Sequence, residues 1–223
     1  MKVGLIYTST TPELIELVER EVREQLGADV ELYSLQDPSI LADVREAGYV
    51  TTAPAARLIG MYMQAAQAGV DAMLNLCSSV GEVADSAQDV ARYIGVPIVR
   101  VDEEMCREAV RRGSRIGVMA TLPTTLEPTK NTVLRVAREA GKKVELVDCL
   151  VDGAFGLDQD QFKARLTESA KGIVDQVDVV VLAQGSMAYA EPHLEATYGK
   201  PFLGSPRFGA AELKKALERK GVL

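Results

Sequence analysis

Short, continuously apolar runs alternate along the chain with longer stretches whose apolar residues recur every three or four positions. That rhythm belongs to buried parallel strands joined by helices. Lys2 to Tyr7 reads as a strand, Thr8 to Thr11 as a loop and Pro12 to about Leu26 as a helix, with Thr11 as its cap, Pro12 at the first position and Glu13 in the first turn. Val30 to Leu35 reads as the second strand. Ala53 to Ala68 is helical in composition, with Thr51-Thr52 either capping it or reaching a ligand, and Gly69 ends it. Ala72 to Leu76 is the third strand and runs directly into Cys77. A helix is expected from about Ser79–Glu82 to Ile94, followed by Gly95-Val96-Pro97-Ile98-Val99.

The pattern then restarts. Arg115-Ile116-Gly117-Val118-Met119-Ala120-Thr121 echoes Lys2-Val3-Gly4-Leu5-Ile6-Tyr7-Thr8 at a spacing of 113 residues. Asp71, Cys77 and Ser79 recur 107 positions later as Asp178, Gln184 and Ser186, and Gly199-Lys200-Pro201-Phe202-Leu203 echoes the segment beginning at Gly95. Three echoes in one order indicate an internal repeat. The expected architecture is α/β: two pseudo-symmetric flavodoxin-like lobes, each a mainly parallel sheet flanked by helices. Residues 1–101 with 206–223 form the N-terminal lobe carrying Cys77, and residues 102–205 the second lobe carrying Gln184. Ala210 to about Lys220 reads as a helix returning to the first lobe, and the two chain crossings read as a hinge. Ligands of open α/β sheets bind at the carboxyl ends of strands, so the two tips mark an active site between the lobes.

Composition narrows the chemistry. A net charge of −7 without a long basic run argues against nucleic acid or anionic membrane as partner. The first residues lack the order of a secretion signal and no apolar run is long enough for a bilayer, so a cytoplasmic protein is expected. The three cysteines, Cys77, Cys106 and Cys149, show no paired spacing and read as reduced thiols. No metal is expected, because the sole histidine, His193, has no cysteine or carboxylate cluster at zinc-like spacing. The same lone histidine, with no nucleophile-elbow motif, gives a serine hydrolase little support.

Cys77 is the candidate catalytic group, since amides of the following helix start would favour its thiolate. Cys106, in the helical stretch Glu103 to Arg111, and Cys149, within or just after a strand Val144 to Val147, read as structural thiols. Thr8 and Ser9 after the first strand, and Thr121 after its counterpart, either cap helices or hold an anion through hydroxyls and amides. Asn75, Ser78, Ser79, Gly185 and Ser186 join them as substrate-binding candidates because they adjoin Cys77 or Gln184. Tyr189 and His193 follow the second tip as possible acid or base groups, although Pro192-His193 also reads as an exposed helix start.

The segments Lys2-Val3-Gly4-Leu5-Ile6, Asn75-Leu76-Cys77-Ser78-Ser79, Arg115 to Thr121 and Val181-Leu182-Ala183-Gln184-Gly185-Ser186-Met187 together resemble the aspartate/glutamate and hydantoin racemase superfamily, which includes maleate isomerase and arylmalonate decarboxylase. The resemblance covers nearly the whole chain. It implies a cofactor-independent enzyme in which a cysteine from each lobe flanks one carbon of a small carboxylate, one removing a proton and the other returning one; a homodimer is a family expectation. Cys77 matches the first of these cysteines and Gln184 stands where the second belongs. An amide cannot exchange a proton as a thiol does, so Gln184 is assigned instead to orienting a carboxylate or stabilising an enolate. The resulting expectation is a racemase- or isomerase-type enzyme with Cys77 as base or nucleophile. The alternatives are a one-thiol decarboxylase or lyase, although the decarboxylase branch keeps its thiol on the other lobe, and a non-catalytic small-carboxylate binding protein.

Overall fold

In the computed structural model, which describes residues 1–223, the chain divides into two compact units, Met1–Val101 with Pro206–Leu223, and Asp102–Ser205. The first contains β1 (Lys2–Tyr7), α1 (Pro12–Leu26), β2 (Glu31–Gln36), α2 (Pro38–Ala47), α3 (Thr52–Gln67), β3 (Ala72–Asn75), α4 (Gly81–Ser86), α5 (Gln88–Ile94) and β4 (Ile98–Arg100). The second contains α6 (Glu103–Arg112), β5 (Arg115–Ala120), α7 (Pro123–Glu139), β6 (Glu145–Leu150), α8 (Gln159–Lys171), β7 (Val179–Leu182), α9 (Glu191–Tyr198) and β8 (Phe202–Gly204). Helix α10 (Ser205–Lys220) then returns to the first unit.

Both sheets are four-stranded and parallel, ordered β2-β1-β3-β4 and β6-β5-β7-β8. Their registers repeat as well. Val3 pairs with Ala72 and Ile6 with Asn75, as Ile116 pairs with Val179 and Met119 with Leu182. Asn75 pairs with Arg100, as Leu182 pairs with Gly204. The sequence echoes are therefore structurally equivalent positions. The matched aspartates have a structural duty in both units: Asp71 accepts from the Lys2 amide, and Asp178 from the Ser114 and Arg115 amides, each at 2.9 Å. Each carboxylate fixes the beginning of a strand pair, at the end of the sheet remote from Cys77 or Gln184.

Every residue of β3 and β7 is buried, as expected of strands covered on both faces. In the first unit, alternate side chains serve two cores. Val3, Leu5 and Leu74 pack with Val18, Val22, Leu213 and Leu217 on one face, and Ile6 and Met73 with Leu58, Tyr62, Ala65 and Val83 on the other. In the second unit, Met119, Val180, Leu182 and Phe202 pack with Phe162, Leu166 and Leu194. On that unit's surface, Arg107 and Arg135 each bridge Glu103 and Glu139, tying α6 to α7.

Several boundaries differ from those read in the sequence. The single helix expected to Ile94 is a 3₁₀ turn, Ser78–Val80, followed by α4 and α5, which meet at Ala87. Helix α2, passed over in the sequence, is announced by Asp37-Pro38-Ser39: the Asp37 carboxylate accepts from the Ser39 amide at 3.0 Å, and proline holds the first position. Helix α10 begins five residues before Ala210, and β6 runs three residues past Val147, so that Cys149 lies inside it. Thr11 caps α1 through the Leu14 amide at 3.2 Å, whereas Thr51 occupies the cap position of α3 without a side-chain bond.

Candidate active site

Cys77 leaves β3 in extended conformation, φ −145° and ψ 115°, and caps the 3₁₀ turn Ser78–Val80. Gln184 leaves β7 with φ −115° and ψ 138° and caps a 3₁₀ segment, Gly185–Ala190. The two side chains therefore depart from equivalent backbone positions. Cys77 is half-buried, while Cys106 and Cys149 are buried. The Cys149 thiol donates to the Ser169 carbonyl at 3.6 Å, and burial pushes its pKa up to about 11.

Desolvation is the largest influence on Cys77 and raises its thiol above the ordinary range; the side chain is partly accessible, yet the surrounding atoms solvate a charge poorly. The Thr8 hydroxyl, the Ser79 and Val80 amides and the Ser79 hydroxyl act in the opposite direction. The amides do favour the thiolate, but they come from one 3₁₀ turn before a six-residue helix, and burial outweighs them. The balance of these influences favours the neutral thiol.

Two buried hydroxyls, that of Thr8 near the thiol and that of Ser78, the next residue in the chain, have no other partner. Thr8 is fully buried and Ser78 is 4% exposed. A buried hydroxyl left unsatisfied costs on the order of 1–3 kcal/mol, which makes the two oxygens notable next to a thiol. Thr8 is the donor that a Cys77 thiolate would engage.

Asn75, expected among the substrate-binding residues, has internal partners. Its Nδ2 donates to the Cys77 carbonyl at 3.1 Å, which fixes the amide orientation, and its Oδ1 accepts from the Tyr62 hydroxyl at 2.9 Å. Beside it in the sheet, the Arg100 side chain is 2% exposed and pairs with Asp85 of α4 at 2.6 Å. Tyr62, Asp85 and Arg100 were not singled out in the sequence. The signals were an arginine in an otherwise apolar strand end and a tyrosine on the apolar face of α3.

In the second unit, Thr121 and Gln184 are brought together. The Thr121 amide donates to Gln184 Oε1 at 2.7 Å, and Gln184 Nε2 donates to Thr121 Oγ1 at 2.6 Å. Thr121 is the register equivalent of Thr8, so a threonine follows the first strand of each unit and meets the residue at the second tip. Ser79 is nearly buried, while Ser9, Gly185 and Ser186 are half-buried on the loops at these tips. Tyr189 and His193 turn toward α8: the Tyr189 hydroxyl donates to the Gln159 carbonyl at 2.8 Å, and the exposed His193 places Nε2 3.2 Å from Thr167 Oγ1. No group of three or more His, Cys, Asp or Glu residues is arranged to hold a metal, and no helix is long and apolar enough to cross a membrane.

Comparison with known proteins bears on this geometry. The family model described as Asp/Glu/hydantoin racemase matches residues 3–213. Among solved structures, the chain is similar to glutamate racemase isoform RacE1 from Bacillus anthracis at 16% identity and a TM-score of 0.70, covering 99% of this chain and 83% of that one. It is similar to the aspartate racemase of Picrophilus torridus at 15% identity and a TM-score of 0.68, covering 99% and 94%. Allantoin racemase from Klebsiella pneumoniae aligns at 17% identity and a TM-score of 0.66, covering 99% and 89%. No curated protein matches the chain significantly. At these identities the structural likeness establishes the fold.

Proposed function

The chain belongs to the Asp/Glu/hydantoin racemase family, and from that premise we propose that it is a cofactor-independent racemase- or isomerase-type enzyme that uses Cys77 to move a proton at the carbon beside a carboxylate of a small acid. The observation that carries the reading is the setting of Cys77, the one half-buried thiol, at a strand tip with two buried hydroxyls, of Thr8 and Ser78, that have no other partner.

The chemistry follows from that setting. A thiolate formed from Cys77 takes the proton from the substrate carbon, and the C–H electron pair passes into the carboxylate as an enolate. Ser78 is the hydroxyl left available to donate to the substrate oxygens, where the charge develops, while Thr8 serves the thiolate. The raised pKa makes the thiolate scarce at neutral pH but more basic once formed, which suits removal of a weakly acidic proton. Reprotonation by the same thiol returns hydrogen to the face from which it left.

Gln184 favours a one-base version of this chemistry over a symmetric racemase. Its amide has no usable proton to exchange, and both ends of it are engaged with Thr121. The same feature favours, as the second reading, a decarboxylase or lyase in which departure of carbon dioxide generates the carbanion and Cys77 protonates it. Turnover of a panel of small amino, hydroxy and dicarboxylic acids and hydantoins by the wild type and by Cys77→Ala tests the proposal. All turnover should vanish in the variant; unchanged turnover would show that Cys77 is not the reacting group. Binding of these acids by the wild type with no turnover at all would point instead to a binding protein.

A further inference from the structure

The internal repeat supplies a comparison within the molecule. At the position of Leu182, which is fully buried beneath the Gln184 tip, the first unit has Asn75, and at the position of Gly204 it has Arg100. Both replacements put polar or charged atoms into the interior, where they are costly unless fully engaged. Both occur only in the unit that carries the thiol.

Their contacts fall at the two ends of one short segment. At its start, Tyr62 holds Asn75, and Asn75 holds the Cys77 carbonyl. At its end, Arg100 lies against Gly81, the first residue of α4: a Cβ on Gly81 would collide with Arg100 Nη2. Arg100 then reaches Asp85, one turn further along the same helix. Between these anchors lie Ser79 and Val80, whose amides face Cys77. In the second unit the corresponding positions do different work. The Gly204 amide donates to Glu191 at 2.8 Å, and the absence of a Cβ there makes room for Ala188.

We propose that Tyr62, Asn75 and Arg100 are positioning residues that clamp both ends of the Cys77–Val80 turn and thereby hold the donors that stabilise the thiolate. The proposal rests on the reading of Cys77 as the reacting thiol and adds how that thiol is kept usable in desolvated surroundings. The planar guanidinium of Arg100 suits this task because it spans Gly81 and Asp85 at once, which a lysine ammonium cannot reproduce. The titratable and charged groups that act on Tyr62 are Cys77, Arg100 on β4 and Asp85 on α4; burial, the largest influence, drives the Tyr62 pKa far up, so its hydroxyl stays a neutral donor through the working pH range.

The test needs no substrate. The alkylation rate of Cys77 by iodoacetamide is followed against pH at the level of the Cys77 peptide, in the wild type, Tyr62→Phe, Asn75→Leu and Arg100→Lys, alongside their melting temperatures. Tyr62→Phe deletes one hydroxyl and keeps the ring, so a folded variant is available even if the others are unstable. The expected result is an alkylation midpoint higher by roughly half a pH unit or more and a rate at pH 8 lower by about threefold or more, since misplaced donors no longer lower the thiol pKa. A wild-type curve in Tyr62→Phe overturns the proposal, whether or not its melting temperature has dropped, because it would show that these residues serve stability alone. Loss of turnover in Cys77→Ala is a separate observation, so failure of the clamp and failure of the catalytic reading are distinguishable.

Discussion

At the scale of single residues, the account turns on opposing influences at Cys77, where burial raises the thiol pKa and the Thr8 and Ser79 hydroxyls with the Ser79 and Val80 amides lower it. Because burial wins, kcat/KM for thiolate-dependent proton removal should climb with pH through neutrality and keep climbing beyond about 8.5, where an ordinary thiol would level off. Thr8→Val keeps the shape and removes a donor to the thiolate, so its pH profile should move further to the alkaline side; an unmoved profile would separate Thr8 from the thiol. Cys77, Gln184 and their spacing were legible in the sequence because a strand that runs into polar residues announces its tip. The direction of the Cys77 shift was not, since it depends on how many atoms from distant segments surround the sulfur. Asn75 was legible as a member of the cluster but not in its role, because only the fold brings Tyr62 to its side chain.

Secondary-structure elements were easiest to read where the chain carries its own punctuation. Thr11-Pro12 started α1 as expected, and the two registers turned the 107- and 113-residue echoes into equivalent strand positions. The segment after Cys77 was read as one helix because its composition is helical throughout, whereas the structure breaks it at the 3₁₀ turn and at Ala87. The packing of α4 on β4 explains Gly81. A Cβ there collides with the Arg100 guanidinium, which is buried and paired with Asp85 and so has no room to yield. Gly81→Ala should therefore lower stability by about 1–3 kcal/mol in denaturant unfolding. Gly60 on α3 is the control: a Cβ there meets nothing within 4 Å, so Gly60→Ala should be neutral or stabilise by up to about 1 kcal/mol. Equal effects at both positions would mean that the Arg100 contact does not constrain the helix.

On the scale of the whole molecule, the chain leaves the first unit after Val101 and returns at Pro206, so α10, although last in sequence, completes the first unit's core. Ala210, Leu213 and Leu217 are fully buried against β1, β3 and α1 residues, and a Cβ on Gly209 would lie 2.8 Å from Val101 Cα. Leu213→Ala should cost about 2–5 kcal/mol, read as a shift of the unfolding midpoint; a loss below 1 kcal/mol would mean that α10 is not integral to that core. The repeat was legible because both units have echoing strand segments, and the difference between their tips because one carries a thiol and the other an amide. That asymmetry is the central claim, and exchange of the hydrogen beside the carboxylate in deuterium oxide, with product chirality read in the same sample, tests it most directly. The wild type should incorporate deuterium with retention of configuration, and Cys77→Ala should incorporate none. Inversion by the wild type as fast as exchange, or exchange that persists in Cys77→Ala, would contradict it.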